Sequence, residues 1–346
     1  MNSLKPILQL VICNLKTFLR EPEAVFWTYG FPLLMVLGLG IAFSSSTGQP
    51  IRFDAIEGEA AKRIVSALQD DPGFQVIVNS EEVAFTRLSK NKTPVVVGPS
   101  DNGGYEYHFD ASNPEARAAQ AAIDDALQRA AGRKDAFPSK EVIVETPGSR
   151  YVDFLVPGLI GMNLMGGGMW GIGYVLVDMR LKKLLKRLLA TPLRRFDFLL
   201  SVVGTRLVFF IPEVFFLLIS AYLIFDVPIR GSLMAITAMC FLGSLAFAGL
   251  GLLSASRAQR IETISGIMNV VMLPMWLFSG IFFSSERFPD FLQPMIQALP
   301  LTQLNNGLRA IILEGHSLFS QALPISILLA WSAVTFVLAL RWFRWG

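Results

Sequence analysis

Six apolar runs dominate this chain, at 24–43, 152–177, 198–225, 233–253, 263–283 and 323–342. Each reaches the roughly 20 residues an α-helix needs to cross a bilayer's hydrocarbon core. Lipid offers no partner to a bare N–H or C=O, so runs of this length are satisfied only as helices. The fold class this predicts is an α-helical polytopic membrane protein with six transmembrane helices. Composition agrees, since 16% of the residues are charged against about 25% in a typical soluble domain.

The stretches between the runs differ in character. Residues 3–20 place Leu4, Leu8, Val11, Ile12, Leu15 and Leu19 on one face, with Lys5, Gln9, Lys16 and Arg20 elsewhere. That spacing predicts an N-terminal helix lying in the membrane interface. Glu21 and Glu23 before the first run are too acidic for a leader's n-region, so the run reads as an uncleaved anchor.

Residues 44–150 read as a small α/β domain of alternating strands (51–56, 74–78, 94–97, 105–109, 142–145) and helices (59–68, 81–89, 115–131), with Ser112 or Asn113 capping the last helix. Residues 284–320 carry two short apolar pieces broken by Pro289, Pro294 and Pro300. They are too short to cross, and a re-entrant hairpin before the last span fits them. The expected division is therefore an interfacial helix (1–23), a first span (24–43), the α/β domain (44–150), and a transmembrane domain (151–346) whose loop at about 178–197 is strongly basic.

Charge sets orientation. Residues 44–150 hold 12 basic and 16 acidic side chains, which leaves the excess positive charge in the membrane part. Arg180, Lys182, Lys183, Lys186, Arg187, Arg194 and Arg195 follow the second span, Arg257 and Arg260 the fourth, and Arg341 and Arg344 flank the end of the last. With Lys5, Lys16 and Arg20, all fall on one side of a six-span layout. Short loops rich in Lys and Arg stay cytoplasmic, so both ends of the chain are expected inside and the α/β domain outside. Within 180–195 the leucines at 181, 184, 185, 188 and 189 share a helical face opposite the cations, and Thr191-Pro192 closes the helix.

Several chemistries are missing. No G-x-x-x-x-G-K-[ST] phosphate loop occurs, so ATP is not bound by that route. His108 and His316 are isolated, and Cys13 and Cys240 sit outside any disulfide or thiolate pattern. No cofactor, metal, catalytic role or nucleic-acid partner is implied. The glycines at 166–168 lie inside an apolar span, where small residues let helices approach.

Glu213, directly after Pro212, is the one acid deep in an apolar run. It either lines a path or gate, or pairs with Arg206 about two turns away. Asn269 is a second pathway candidate, although Asn269 and Asn305-Asn306 equally suit hydrogen bonds between helices. Arg150 and Asp153 read as interfacial anchors.

In this order, the parts resemble the permease subunits of type-2 ATP-binding cassette (ABC) exporters. The resemblance rests on K-R-L-L-A-T-P-L-R-R-F-D-F-L-L at 186–200, on the proline-broken F-P-D-F-L-Q-P-M-I-Q-A-L-P-L-T-Q-L-N-N-G-L-R-A-I-I-L-E-G at 288–315, and on D-A-S-N-P at 110–114. It implies that residues 3–20 are an elbow helix. It also implies a coupling segment whose Arg180, Lys182, Lys183, Leu184, Lys186, Arg187 and Leu188 meet a separate cytoplasmic ATPase subunit, which binds the ATP. A second permease chain, same or homologous, membrane lipid and a periplasmic adaptor are the further partners, and the bacterial inner membrane is the location. Two rivals stand beside it: a membrane-anchored sensor or scaffold, and an ion-coupled transporter using Glu213.

Overall fold

The computed structural model describes residues 4–44, 50–100, 102–134, 137, 150–190 and 195–344. It divides into two units, Ser45–Val144 and the remainder. The expected strand at 142–145 and the closing Thr191-Pro192 lie outside the described residues.

The larger unit contains six helices long and apolar enough to cross a membrane: span one Pro22–Ala42, two Tyr151–Leu181, three Phe196–Phe225, four Leu233–Ala255, five Ile261–Phe278 and six Leu318–Trp342. Spans two and four are the most enclosed, and span four packs against both two and six. The contact between two and four is made by small residues: a Cβ on Gly168 would stand 2.6 Å from the Cβ of Phe247, and one on Gly251 2.5 Å from the Gly168 carbonyl oxygen. In lipid, where burying a leucine gains little, such close approach is what holds helices together.

Span five stops at Phe278 rather than 283. Ser279 caps it, and Gly280 turns the chain at φ +70, a conformation costly for residues with a Cβ. Spans one and two each contain one π-helical turn, Phe26–Gly30 and Trp170–Tyr174. The Asn163 amide of span two donates to the Thr28 carbonyl inside the first of these at 3.1 Å.

The helix Leu4–Leu19 meets span three through Phe18 and Phe209, whose rings lie 4.5 Å apart. Ile12 and Leu19 on its apolar stripe stay exposed. Between spans five and six, Gln293–Ala298 and Pro300–Ile312 form two helices too short to cross. The second buries Leu301, Leu304, Leu308, Ile311 and Ile312, an i, i+3, i+4 stripe.

In the smaller unit four strands, β1 (Ile51–Ile56), β2 (Phe74–Asn79), β3 (Val95–Pro99) and β4 (Tyr105–Phe109), form one sheet in the order β2-β1-β3-β4. β1 is parallel to both neighbours, and β4 runs antiparallel to β3. Helices α1 (Glu59–Leu68) and α3 (Pro114–Ala130) cover one face over Phe53, Ala55, Ile64, Val95, Val97, Ala119 and Ile123. Helix α2 (Glu81–Ser89) covers the other, where Arg87 Nε donates to the fully buried Asp54 at 2.7 Å.

The D-A-S-N-P motif is the start of α3. Asp110 accepts from the Ser112 amide at 2.8 Å and its hydroxyl at 2.7 Å, and Asn113 accepts from the Glu115 amide at 2.9 Å. Asn113 is thus the cap. The Ser112 bonds hold the Asp110 carboxyl below its usual range.

Candidate functional site

The basic segment after span two is two helices rather than one. Span two ends at Leu181, and a short helix runs Leu184–Leu189. Between them Lys183 takes φ +57, a left-handed conformation that costs a non-glycine residue about 1 kcal/mol. The break reorders the leucine stripe that periodicity suggested: Leu181 is exposed, Leu184 half-buried and Leu185 buried in the helical core. The side chain of Leu188 lies outside the described residues.

Lys182, Lys183, Lys186 and Arg187 are all exposed. Among the described residues Lys182 is the one of these that is tethered, its ammonium 2.7 Å from the Asp178 carboxylate, which raises its pKa above the usual lysine value. These cations form a positive surface on a turn that leaves the span's axis.

Arg180 points the other way. Its Nη1 donates to the carbonyls of Ala255 (2.9 Å) and Ala258, and its Nη2 to those of Arg344 (2.8 Å) and Ser256 (3.5 Å). Of the cations the resemblance assigned to docking, it is the one that faces inward.

Glu213 and Arg206 do pair. Arg206 Nη2 donates to Glu213 Oε2 at 2.6 Å, and Nη1 donates to Oε1. Both side chains are buried, Glu213 to 1% exposure. Spacing i, i+7 puts them on one face of span three, and a fork-on-fork geometry satisfies both carboxylate oxygens. Gly167 of span two makes room: a Cβ there would collide with the Arg206 guanidinium. The glycine run therefore serves helix approach and also seats a charge.

The family described as ABC-2 family transporter protein matches residues 23–341. This chain belongs to the ABC-2 transporter family. Among ABC-2 relatives, it is 26% identical over 194 residues to "ABC transporter G family member 20" of Dictyostelium discoideum, covering 56% of this chain and 26% of that protein. It is 24% identical over 165 residues to "Inner membrane transport permease YadH" of Escherichia coli (strain K12), covering 47% of this chain and 63% of that one.

The remaining candidates of this ABC-2 chain separate. Asn305 donates to the Ser279 carbonyl at 2.8 Å across to the end of span five, so it joins helices. Asn269 sits on the exposed side of span five with no hydrogen bond among the described residues. It is not brought near Glu213 by any described contact. His108 meets Phe85 edge-on at 5.0 Å, and His316 is exposed beside Glu314. No group of three or more His, Cys, Asp or Glu that could hold a metal occurs among the described residues.

Arg150 and Asp153 are more than anchors. Arg150 caps span two through Asp153 and donates to the Asp226 carbonyl after span three at 3.0 Å. Sequence reasoning passed over Arg309. Its guanidinium stacks 3.7 Å from the Phe154 ring centroid and donates to the Gly280 carbonyl, tying the helix Pro300–Ile312 to spans two and five. The one charged residue of Pro300–Ile312, four residues after Asn305, was the available signal.

Proposed function

We propose that this chain is the transmembrane permease subunit of an ATP-driven ABC exporter, working as a dimer with a second permease chain and driven by a separate cytoplasmic ATPase. The observation that carries the reading is the exposed basic turn at Lys182–Arg187, set off from span two by the left-handed Lys183. A docking element must project from the helix bundle and still be covalently stiff toward one span, and this one does both.

The charge pattern supports placing that turn in the cytoplasm with both ends of the chain. The sheet unit then lies outside, Leu4–Leu19 rests in the interface with Ile12 and Leu19 toward lipid, and Gln293–Ile312 re-enters from the outer side. Movement of the partner on ATP binding would press the turn and rock the spans around a central path. The printed name of the Escherichia coli relative, an inner membrane transport permease, supports the location and the transport role. Glu213, held by both nitrogens of the Arg206 fork and almost sealed from solvent, suits a buried pair within span three, seated on Gly167 of span two, better than an ion-coupling site.

The test replaces Lys182, Lys183, Lys186 and Arg187 together with glutamate. Co-purification with the ABC ATPase is expected to be lost while the chain still inserts and runs monodisperse. Wild-type ATPase association in that variant overturns the assignment.

A further inference from the structure

A helix leaves its last four carbonyls without intrahelical partners, and a cation at that end is favoured by the helix dipole as well. Span four ends at Ala255, and the carbonyls of Ala255, Ser256 and Ala258 converge where the chain turns toward span five. The group that meets them comes from another helix: Arg180, one residue before the end of span two.

The same guanidinium also reaches the Arg344 carbonyl, beyond span six, and lies 5.2 Å from the Phe343 ring centroid. Two more links close the cluster. The Arg344 amide donates to the Ser256 carbonyl at 3.0 Å, and Arg257 stacks over Trp342 at 5.9 Å. Ser256 thus accepts from both Arg180 and Arg344. Arg180 Nε is buried without a partner among the described residues. Four carbonyls from two segments therefore share one fork of two nitrogens.

We infer that Arg180 is a positioning residue that ties the basic turn to the ends of spans four and six, so that Lys182–Leu189, 255–258 and 342–344 move as one body. The physical basis is the fork itself. Arginine's planar guanidinium directs several N–H groups at once, whereas a lysine ammonium is a point charge on a flexible stem. Arg180 is followed by Leu181, then the tethered Lys182 and the left-handed Lys183, so only two residues, one of them held by Asp178, separate the kink from the clamp. Resting on the permease reading, the consequence is that a push delivered at the turn arrives at three spans rather than one. The clamp itself does not depend on that reading.

The experiment measures spin-label distance distributions in the full chain in lipid nanodiscs, with no ATPase present. Cys13→Ser removes the exposed native thiol, and Cys240 is buried. One label pair sits at Ala190→Cys and Arg344→Cys, which keeps the Arg344 backbone groups. A control pair sits at Leu223→Cys and Met234→Cys, both strongly exposed in spans three and four. The tail pair should be narrow in the parent and at least twice as wide in Arg180→Met. Arg180→Lys should fall between them, with the control pair unchanged throughout.

A tail pair unaffected by Arg180→Met overturns the inference, and so does equal broadening of the control pair, which would mean general loosening. If Arg180→Met does not insert, the Arg180→Lys arm decides alone, and a parent-like width there overturns it. Loss of ATPase association elsewhere would strike the permease reading and leave this result standing.

Discussion

The sheet unit and the span unit are held together in opposite ways. In the sheet unit, large apolar side chains from α1 and α3 meet Phe53, Ala55, Val95 and Val97, and water supplies the drive. Among the described residues polar side chains sit outside, except Asp54 under Arg87 and Thr93, whose hydroxyl donates to the Val95 carbonyl. In the span unit the outside is as apolar as the inside: Leu223 and Val270 are exposed, while the buried positions include Arg206, Glu213, Thr302 and Asn305. There glycines and polar contacts mark the interior. Burial follows hydrophobicity in one unit, whereas in the other hydrophobicity is a poor guide to it because lipid-facing and buried positions are both apolar.

That contrast can be broken at its strongest point. Arg206→Leu should destabilise the span unit by about 3–5 kcal/mol, because it leaves Glu213 charged and unpaired. Arg206→Leu with Glu213→Leu should recover most of the loss, read as thermal unfolding of the full chain in detergent. If the double variant is no better than the single, Arg206 is not needed to compensate a buried Glu213 charge.

In the sheet unit Ile123→Ala should cost about 2–5 kcal/mol by opening a cavity. Amide exchange should rise in α1, α3 and β1, and stay unchanged in spans two and four; spread into the spans would erase the distinction between the units.

Smaller effects sharpen the comparison. Gly168→Ala adds one methyl against Phe247 and should cost about 1–3 kcal/mol, more than a Leu223→Ala change, which should remain within about 0.5 kcal/mol. The reverse order would show that hydrophobicity, not approach distance, governs the spans. Asn113→Ala should weaken α3 by about 1 kcal/mol, seen as faster exchange in its first turn alone. Depressed by the Ser112 bonds, Asp110 favours the folded form above its unfolded pKa. That contribution fades as pH falls through the folded value, so the first turn of α3 should lose protection in acid before its last turn does.

The same contrast explains what could be read in advance. In the sheet unit the bounds expected for Ile51–Ile56, Glu59–Leu68 and Tyr105–Phe109 match the structure, because polar and glycine-containing stretches (Glu57-Gly58, Gln69–Gly73, Gly103-Gly104) punctuate short elements there. In the spans hydropathy found six helices but misjudged ends. It carried span five through Gly280, since an apolar run conceals a turn made by one positive φ. The Arg206–Glu213 pairing was legible as one of two readings, being a matter of spacing along one helix. The inward turn of Arg180 was not legible. Charge counts place a cation at an end of a span and say nothing of which way it faces, and its partners are carbonyls, which every sequence supplies everywhere. The break at Lys183 was hidden for a similar reason: leucine spacing is the same for one helix or for two joined by a kink.

The π-helical turn at Trp170–Tyr174 also works as an index. One extra residue per turn rotates everything after it by about 100°, so the direction in which Arg180 leaves span two is dialled in ten residues upstream. Straightening that turn into regular α-helix at unchanged length would swing Arg180 away from the carbonyls and the basic turn off its present heading, whereas deleting one residue within the turn would restore the α-helix and keep every later side chain on its present face. The bulge and the length of this span are therefore coupled, and changing either alone misdirects Arg180.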